Sequence, residues 1–457
     1  MLSDLQSLRT AFAALADGAA QVEINRVDPA VATALERTLI DSLGVALAGA
    51  LTSEIQSLVD AWPAPPGECS VWGTGVSTDS QTAALLVGAS LCSLELDEGN
   101  KAARGHPGAH VIPVAIAEAQ RLGSAGDELL SAILAGYEVA TRIATAFRPR
   151  QGLHPHGHWG AIGAAVAVGR LCGFDAAQLA EAMDAASALA LATPFSSALD
   201  GSFVRNTWVG VAGSNGITAA RLVRAGLGSQ DGTAASTFGS LLGEIDVERI
   251  DTDFTTWTIT QGYFKRHASC AYTHPPADAA IELRERHSDV TTRDIVAIRV
   301  GTHSLAAPLS RQQPATRLAA MFSIPHVVAV ALRDGSVLPE SFDAASLADS
   351  EFARLRDVTT VTVDPELESR LPLARGARVS MTLTDGRNLE AVVPNAIGDS
   401  DHLPFGVPEI AAKLATLLGD ARAGLVIRTV EALRGAPDVR IALSALSELD
   451  LTREGEP

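Results

Sequence analysis

Cysteine is scarce in this chain. Cys69, Cys92, Cys172 and Cys270 are the four among 457 residues, and no two form a CxxC pair. Neither a disulfide framework nor a structural zinc site is expected, and a reducing cytoplasm fits. Aromatic residues make up only 4%. No run of about 18 uninterrupted apolar residues occurs, which argues against a membrane span. The opening MLSDLQSLRT has no basic stretch followed by an apolar one, so no secretory signal is expected. Cations are outnumbered, 35 Lys and Arg against 53 Asp and Glu, for a formal net charge of −18. Such a surface repels nucleic acid and anionic membranes, and an anionic substrate would require the few cations to be concentrated in a cleft. GxGxxG after a strand, GxxxxGK followed by Ser or Thr, and GxSxG are all missing, so no nucleotide cofactor or nucleophile elbow is indicated.

Hydrophobic residues are plentiful at 47%, rich in Ala and Gly, a mixture that favours helices with small faces that approach closely. The length suggests two domains. Up to about residue 262 the pattern is helical. Asp28 is an N-cap candidate for a run beginning at Pro29 and continuing to Leu51, with further helices expected over about 79–95, 110–122, 127–147, 159–172, 177–192 and 206–226. From about 267 to 395 the character changes. Segments 295–301 and 358–363 alternate like half-buried strands, and 377–384 with 387–393 reads as a hairpin about Asp385-Gly386, a pair suited to a primed turn. Helices over about 275–287 and 316–333 would pack on this sheet, and helices return at about 407–419, 422–434 and 440–448. The expected fold is mostly α with an α+β insertion: a large all-helical domain (1–266 and 396–457) and a smaller α+β domain (267–395).

Polar residues gather in four groups. Asp97, Glu98, Lys101, Arg104, His106 and His110 lie between two apolar helices, where active-site groups are often held and where a solvated capping loop reads equally well. His154, His156 and His158 alternate just before a small-residue helix; no carboxylate or thiolate partner completes a metal set, so no metal is expected. That helix start would attract an anion. Lys265, Arg266, His267, Cys270, Tyr272 and His274 cluster where helical character gives way to α+β, and domain clefts are favoured ligand sites. Arg205, after Gly201-Ser202, could grip a carboxylate through two hydrogen bonds.

In this order the groups resemble the MmgE/PrpD family, which includes 2-methylcitrate dehydratase, cis-aconitate decarboxylase and iminodisuccinate epimerase. The matching pieces are Asp41-Ser-Leu-Gly-Val-Ala-Leu-Ala-Gly; Leu94-Glu-Leu-Asp-Glu with His106-Pro-Gly; Gly136-Tyr-Glu-Val-Ala; Leu153-His-Pro with Trp159-Gly-Ala-Ile-Gly-Ala-Ala; Lys265, Cys270 and Tyr272-Thr-His-Pro; Phe322-Ser-Ile-Pro; and Asp334-Gly. The resemblance implies a helical domain under an α+β lid, a homodimer, no cofactor and a site between domain and lid. By resemblance, Asp97 and His106 match the first catalytic segment, His154 the His-Pro histidine, Lys265 the lysine opening the lid, and Cys270 a position where some members carry histidine. The chain departs from the family where Arg205 replaces a usual lysine, Asn206 and Trp208 replace basic residues, and His326 replaces a tyrosine.

The chemistry so implied is proton removal next to a carboxylate of a small di- or tricarboxylate, which needs a cation, a base and an acid. Lys265 and Arg205 are the expected carboxylate holders; Asp97, His106, His154 and Cys270 are the acid/base candidates; Lys101, Arg266, Tyr272, His274 and His326 are expected around the substrate. Dehydration or decarboxylation is the leading reading. An epimerase on the same scaffold, or a diverged member with another substrate or no catalysis, remains beside it.

Overall fold

Small residues decide how closely the central helices approach. A computed structural model describes residues 2–228, 232–449 and 451, and it is mostly helical with small sheets. The helix Trp159–Leu171 is buried on every side from Trp159 to Gly169. It packs against Pro107–Leu122, Gly126–Ala146, Ala176–Ala188 and Val204–Arg224. A Cβ on Gly136 would lie 2.5 Å from the Gly163 carbonyl, and one on Gly163 equally close to the Gly136 carbonyl. Gly88 and Gly210 let Ser80–Ser93 press against Val204–Arg224 in the same way, a Cβ on Gly88 lying 2.7 Å from Gly210 Cα. The scarcity of aromatics and the wealth of Ala and Gly have this contact as their cause.

Asp28 caps the helix Pro29–Ala50 as expected, its Oδ1 accepting from Ala30 N at 2.8 Å. The C-terminal helices Val407–Leu418 and Asp420–Leu433 return to pack on that helix. Gly126–Ala146 is long and apolar enough to cross a membrane by length and composition, yet its most apolar stretch is 94% buried within the protein, as a core helix is.

The four-stranded sheet runs Asn388–Val393, Ala377–Leu383, Ile295–Thr302, Thr359–Val363 in order across its width. Only its last pair is parallel, with Ile298 opposite Thr359. Ala377, Val379, Met381 and Leu383 point to the buried face, which the helix His274–Arg286 covers. The hairpin differs from expectation at its turn. Gly386 alone has positive φ (+85°), Gly386 N donates to Leu383 O and Leu383 N to Arg387 O. This is a type I turn closed by a glycine bulge, not a primed turn. The helix expected over 316–333 is two, Arg317–Met321 and Ile324–Asp334, because Ser323 caps the second through His326 N at 3.1 Å and Pro325 follows. The break leaves Phe322 free to face the interior cleft. The helix Ser53–Ala61 and the strands Pro66–Val71 and Val76–Thr78 occupy stretches where no element was expected.

Candidate active site

The helix Ser80–Ser93 ends by delivering four consecutive residues, 95–98, into the interior. Glu95 takes a left-handed backbone (φ +52°), a conformation that costs a non-glycine residue about 1–3 kcal/mol and concentrates at functional sites. Gly99 and Asn100 then pair antiparallel with Tyr263 and Gly262. That short ladder sets Asp97 beside Lys265. The Lys265 ammonium lies 2.9 Å from Asp97 Oδ1 and 3.3 Å from Glu95 Oε2, and Arg205 bonds the other Glu95 oxygen. All four side chains are about 1% exposed. Burial pulls the Lys265 ammonium down, but Asp97 and Glu95 outweigh it and hold it above its ordinary value. Burial lifts the Asp97 carboxyl, and His106, Lys265 and Arg205 outweigh that and hold it well below the usual range. Glu98 has no such cation. Burial pushes it up to about 8, with its oxygens on Tyr137 Oη at 2.6 Å and Gly108 N at 3.1 Å.

The histidines reveal their tautomers by their partners. His106 Nδ1 lies 2.7 Å from the Glu98 carbonyl and 3.3 Å from Asp97 Oδ2, so Nδ1 carries the proton and Nε2 keeps a lone pair. His110 Nδ1 donates to His106 O at 2.8 Å while its Nε2 accepts from Gly157 N. His158 Nε2 donates to His154 O at 2.8 Å. His156 N donates to His154 Nδ1 at 3.1 Å and Arg205 Nε–H is directed at His154 Nε2 from 3.5 Å; a neutral ring accepts at only one nitrogen, and the shorter bond places the proton on Nε2. Two donors thus converge, the arrangement a carboxylate oxygen would satisfy. Burial lowers all five imidazoles: His106 and His158 to about 3, His110 to about 4, His154 and His156 well below their ordinary value. They are neutral bases and donors, not cations.

A cavity of about 650 Å³ opens beside them. His106, His154, Arg205, Cys270 and Tyr272 line it, together with Glu95, Tyr263, Phe195 and Phe322. Arg104, Arg148, Arg150 and Arg375 complete the wall, and Glu95 is the single carboxylate among its lining residues. Among the described residues none of those four arginines is paired with a carboxylate, unlike Arg205. His106, Trp159 and Arg205 stand at the N-terminal ends of the helices Pro107–Leu122, Trp159–Leu171 and Val204–Arg224, whose dipoles add to the positive field. Burial pushes the Cys270 thiol up to about 11, so it is a neutral thiol. Asp97, His106 and His156 also bring one candidate metal-ligand atom each within 4.8 Å. Lys265 already sits on Asp97 and His106 Nδ1 on the Glu98 carbonyl, so the cluster has little uncompensated charge to offer a dication.

Several expected substrate groups lie elsewhere. Lys265 does not line the cavity; it stands behind Glu95 and Asp97. Arg266, the next residue, is exposed where Lys265 is buried and meets Asp278 at 3.1 Å. His274 Nε2 is held by Ser269 O at 3.2 Å behind the cavity wall. His326 packs between Phe342 and Phe352, its nitrogens on Ser341 O and Arg356. Lys101 is drawn to Asp399 and Asp401, each 2.7 Å away. Glu95, Tyr263, Arg104 and Arg375 were not assigned roles from sequence. Glu95 shares its segment with Asp97 and could have been found there; Arg375 follows no motif.

Two family models match the chain, the MmgE/PrpD N-terminal domain over residues 13–242 and the MmgE/PrpD C-terminal domain over residues 267–427. The chain is also 25% identical over 448 residues to the cis-aconitate decarboxylase-like protein oryM of Aspergillus oryzae, with 90% of this chain and 91% of that protein covered.

Lys265→Met leaves two buried carboxylates short of a cation, so it should lower stability by about 3–5 kcal/mol. Adding Asp97→Asn should restore part of the loss. An unchanged melting temperature for Lys265→Met would contradict the buried pairing. Acid should also weaken the fold. Histidines with folded values near 3 to 4 and about 6.5 unfolded make the unfolded chain bind more protons as pH falls below 6.5. His106, His110 and His158 should each subtract about 2 kcal/mol between pH 7 and 5. Glu98, raised to about 8, works in the opposite sense, its stabilisation being lost as pH rises from 4.5 through 8, and it offsets roughly one histidine. Denaturant melts at the two pH values should therefore show a net loss at pH 5; equal stability would contradict neutral buried imidazoles.

Proposed function

Because this chain belongs to the MmgE/PrpD family, we propose that it is a lyase that removes the proton next to a carboxylate of a small di- or tricarboxylate, without a cofactor. The observation that carries this reading is the charge of the cavity. In a protein of net charge −18, five arginines line one cavity, and Glu95, the one carboxylate lining it among the described residues, is already neutralised. An acid with two or three carboxylates is the ligand such a wall suits.

In this reading the Arg205 guanidinium and the His154 Nε2–H hold the carboxylate beside the reacting carbon. His106 Nε2 takes the proton from that carbon, while Asp97 and the Glu98 carbonyl steady the imidazolium that forms. Charge developing on the carboxylate is met by Arg205, already in place and dry. In a dehydration, the hydroxyl on the neighbouring carbon leaves as water with a proton from Tyr263 or Cys270, both neutral acids. In a decarboxylation of an unsaturated acid, the proton taken by His106 is returned at the far end of the double bond as that bond shifts, the carboxylate then departs as carbon dioxide, and the carbanion left behind takes one proton from Tyr263 or Cys270. The relative named for cis-aconitate decarboxylation supports the lyase class.

The test is incubation with a panel of di- and tricarboxylates in deuterated water. Deuterium should enter next to a carboxylate of at least one acid, whether or not net turnover follows. His106→Asn keeps a donor for the Glu98 carbonyl but deletes Nε2, and should slow exchange roughly 10²–10⁴-fold. Exchange with no acid of the panel, or exchange untouched in a folded His106→Asn protein, would overturn the reading.

A further inference from the structure

A tricarboxylate seated on Arg205 and His154 fills only part of the cavity. At about 30 Å³ per water-sized group, 650 Å³ holds roughly twenty such groups. A six-carbon tricarboxylate has about a dozen non-hydrogen atoms, so even at that loose spacing about two fifths of the space is left. Besides Arg104, Arg148, Arg150 and Arg375, the cavity wall carries an apolar face. Leu153 and Phe195 come from the helical part of the chain, and Leu305, Pro308 and Phe322 from the segment that carries the four-stranded sheet. This surface is continuous with the charged end. Phe195 stacks on His154 with ring centroids 5.4 Å apart, Phe322 lies under the Arg205 guanidinium at 5.2 Å, and the two phenyl rings meet edge to face at 6.5 Å. Leu305, 44% exposed, also lines the cavity.

Polar acids gain nothing from such a wall, and water held against it gains from displacement. We propose that the substrate carries a hydrocarbon arm: a polycarboxylate whose acid end sits on Arg205 and His154 and whose alkyl chain, of roughly four to eight carbons at about 30 Å³ each, lies along Phe195, Phe322, Leu153, Leu305 and Pro308. This deepens the lyase reading and rests on its placement of the carboxylate at Arg205.

The probes are succinate and 2-alkylsuccinates from methyl to octyl, titrated calorimetrically into the full-length protein and tested for deuterium exchange. Each added methylene should tighten binding about 3- to 4-fold until the arm is full, and Leu305→Ser, at a half-exposed position, should shrink the gain for the longer members. Long members that bind or exchange while succinate does neither would also support the arm. Succinate binding or exchanging with no gain along the series would overturn the arm and leave the lyase reading standing. No binding and no exchange across the whole series would overturn both.

Discussion

The Lys265 ammonium, buried between the carboxylates of Glu95 and Asp97, joins the loop after the helix Ser80–Ser93 to the segment that leads into the sheet. Arg205 closes the same group from the start of the helix Val204–Arg224. Moving such charges out of water costs several kcal/mol per ion, and only near-complete pairing offsets it. The chain spends its lysines accordingly. It has three, and all three hold this region: Lys265 on the carboxylates, Lys413 on Asp41 and the Leu96 carbonyl at 2.6 and 2.8 Å, and Lys101 on Asp399 and Asp401. Lys413 comes from the returning helix Val407–Leu418 and Asp41 from Pro29–Ala50. Widely separated parts of the chain therefore converge on one loop.

What that loop achieves is control of a neutral imidazole. Asp97, kept ionised by its cations, and the Glu98 carbonyl both face His106 Nδ1. The proton is thereby fixed on one nitrogen and the lone pair left on the other, in a ring that lines the cavity. An acidic surface and a basic cavity coexist because the two are built differently. Exposed carboxylates are solvated and screened, whereas the cavity combines arginines with three helix N-termini and few opposing charges. The same burial that keeps the histidines neutral makes them liable to acid.

Helix positions were legible because Asp28, the apolar period and the flanking Gly and Pro all agree. The break at Phe322 was less so, since a caps-and-proline signal, Ser323 with Pro325, lies inside a continuous apolar run. The turn at Asp385-Gly386 shows that a dipeptide names a turn without fixing its type. For the site, spacing identified the right segments but not which way each side chain points. Lys265 and Arg266 are adjacent, one buried and the other exposed; His326 directly follows the Phe322-Ser-Ile-Pro motif yet is absorbed by Phe342 and Phe352. Arg375 reaches the cavity from a loop carrying no polar cluster, and only the fold brings it to Tyr272, 5.6 Å from its ring.

The tautomer and charge of His106 test this account most directly, by 15N NMR of histidine-labelled protein with the signal assigned by its loss in His106→Asn. The ring should be neutral and protonated on Nδ1 from about pH 8 down to about pH 5, consistent with a value lowered to about 3 by burial. An imidazolium in that range, or a ring protonated on Nε2, would contradict it.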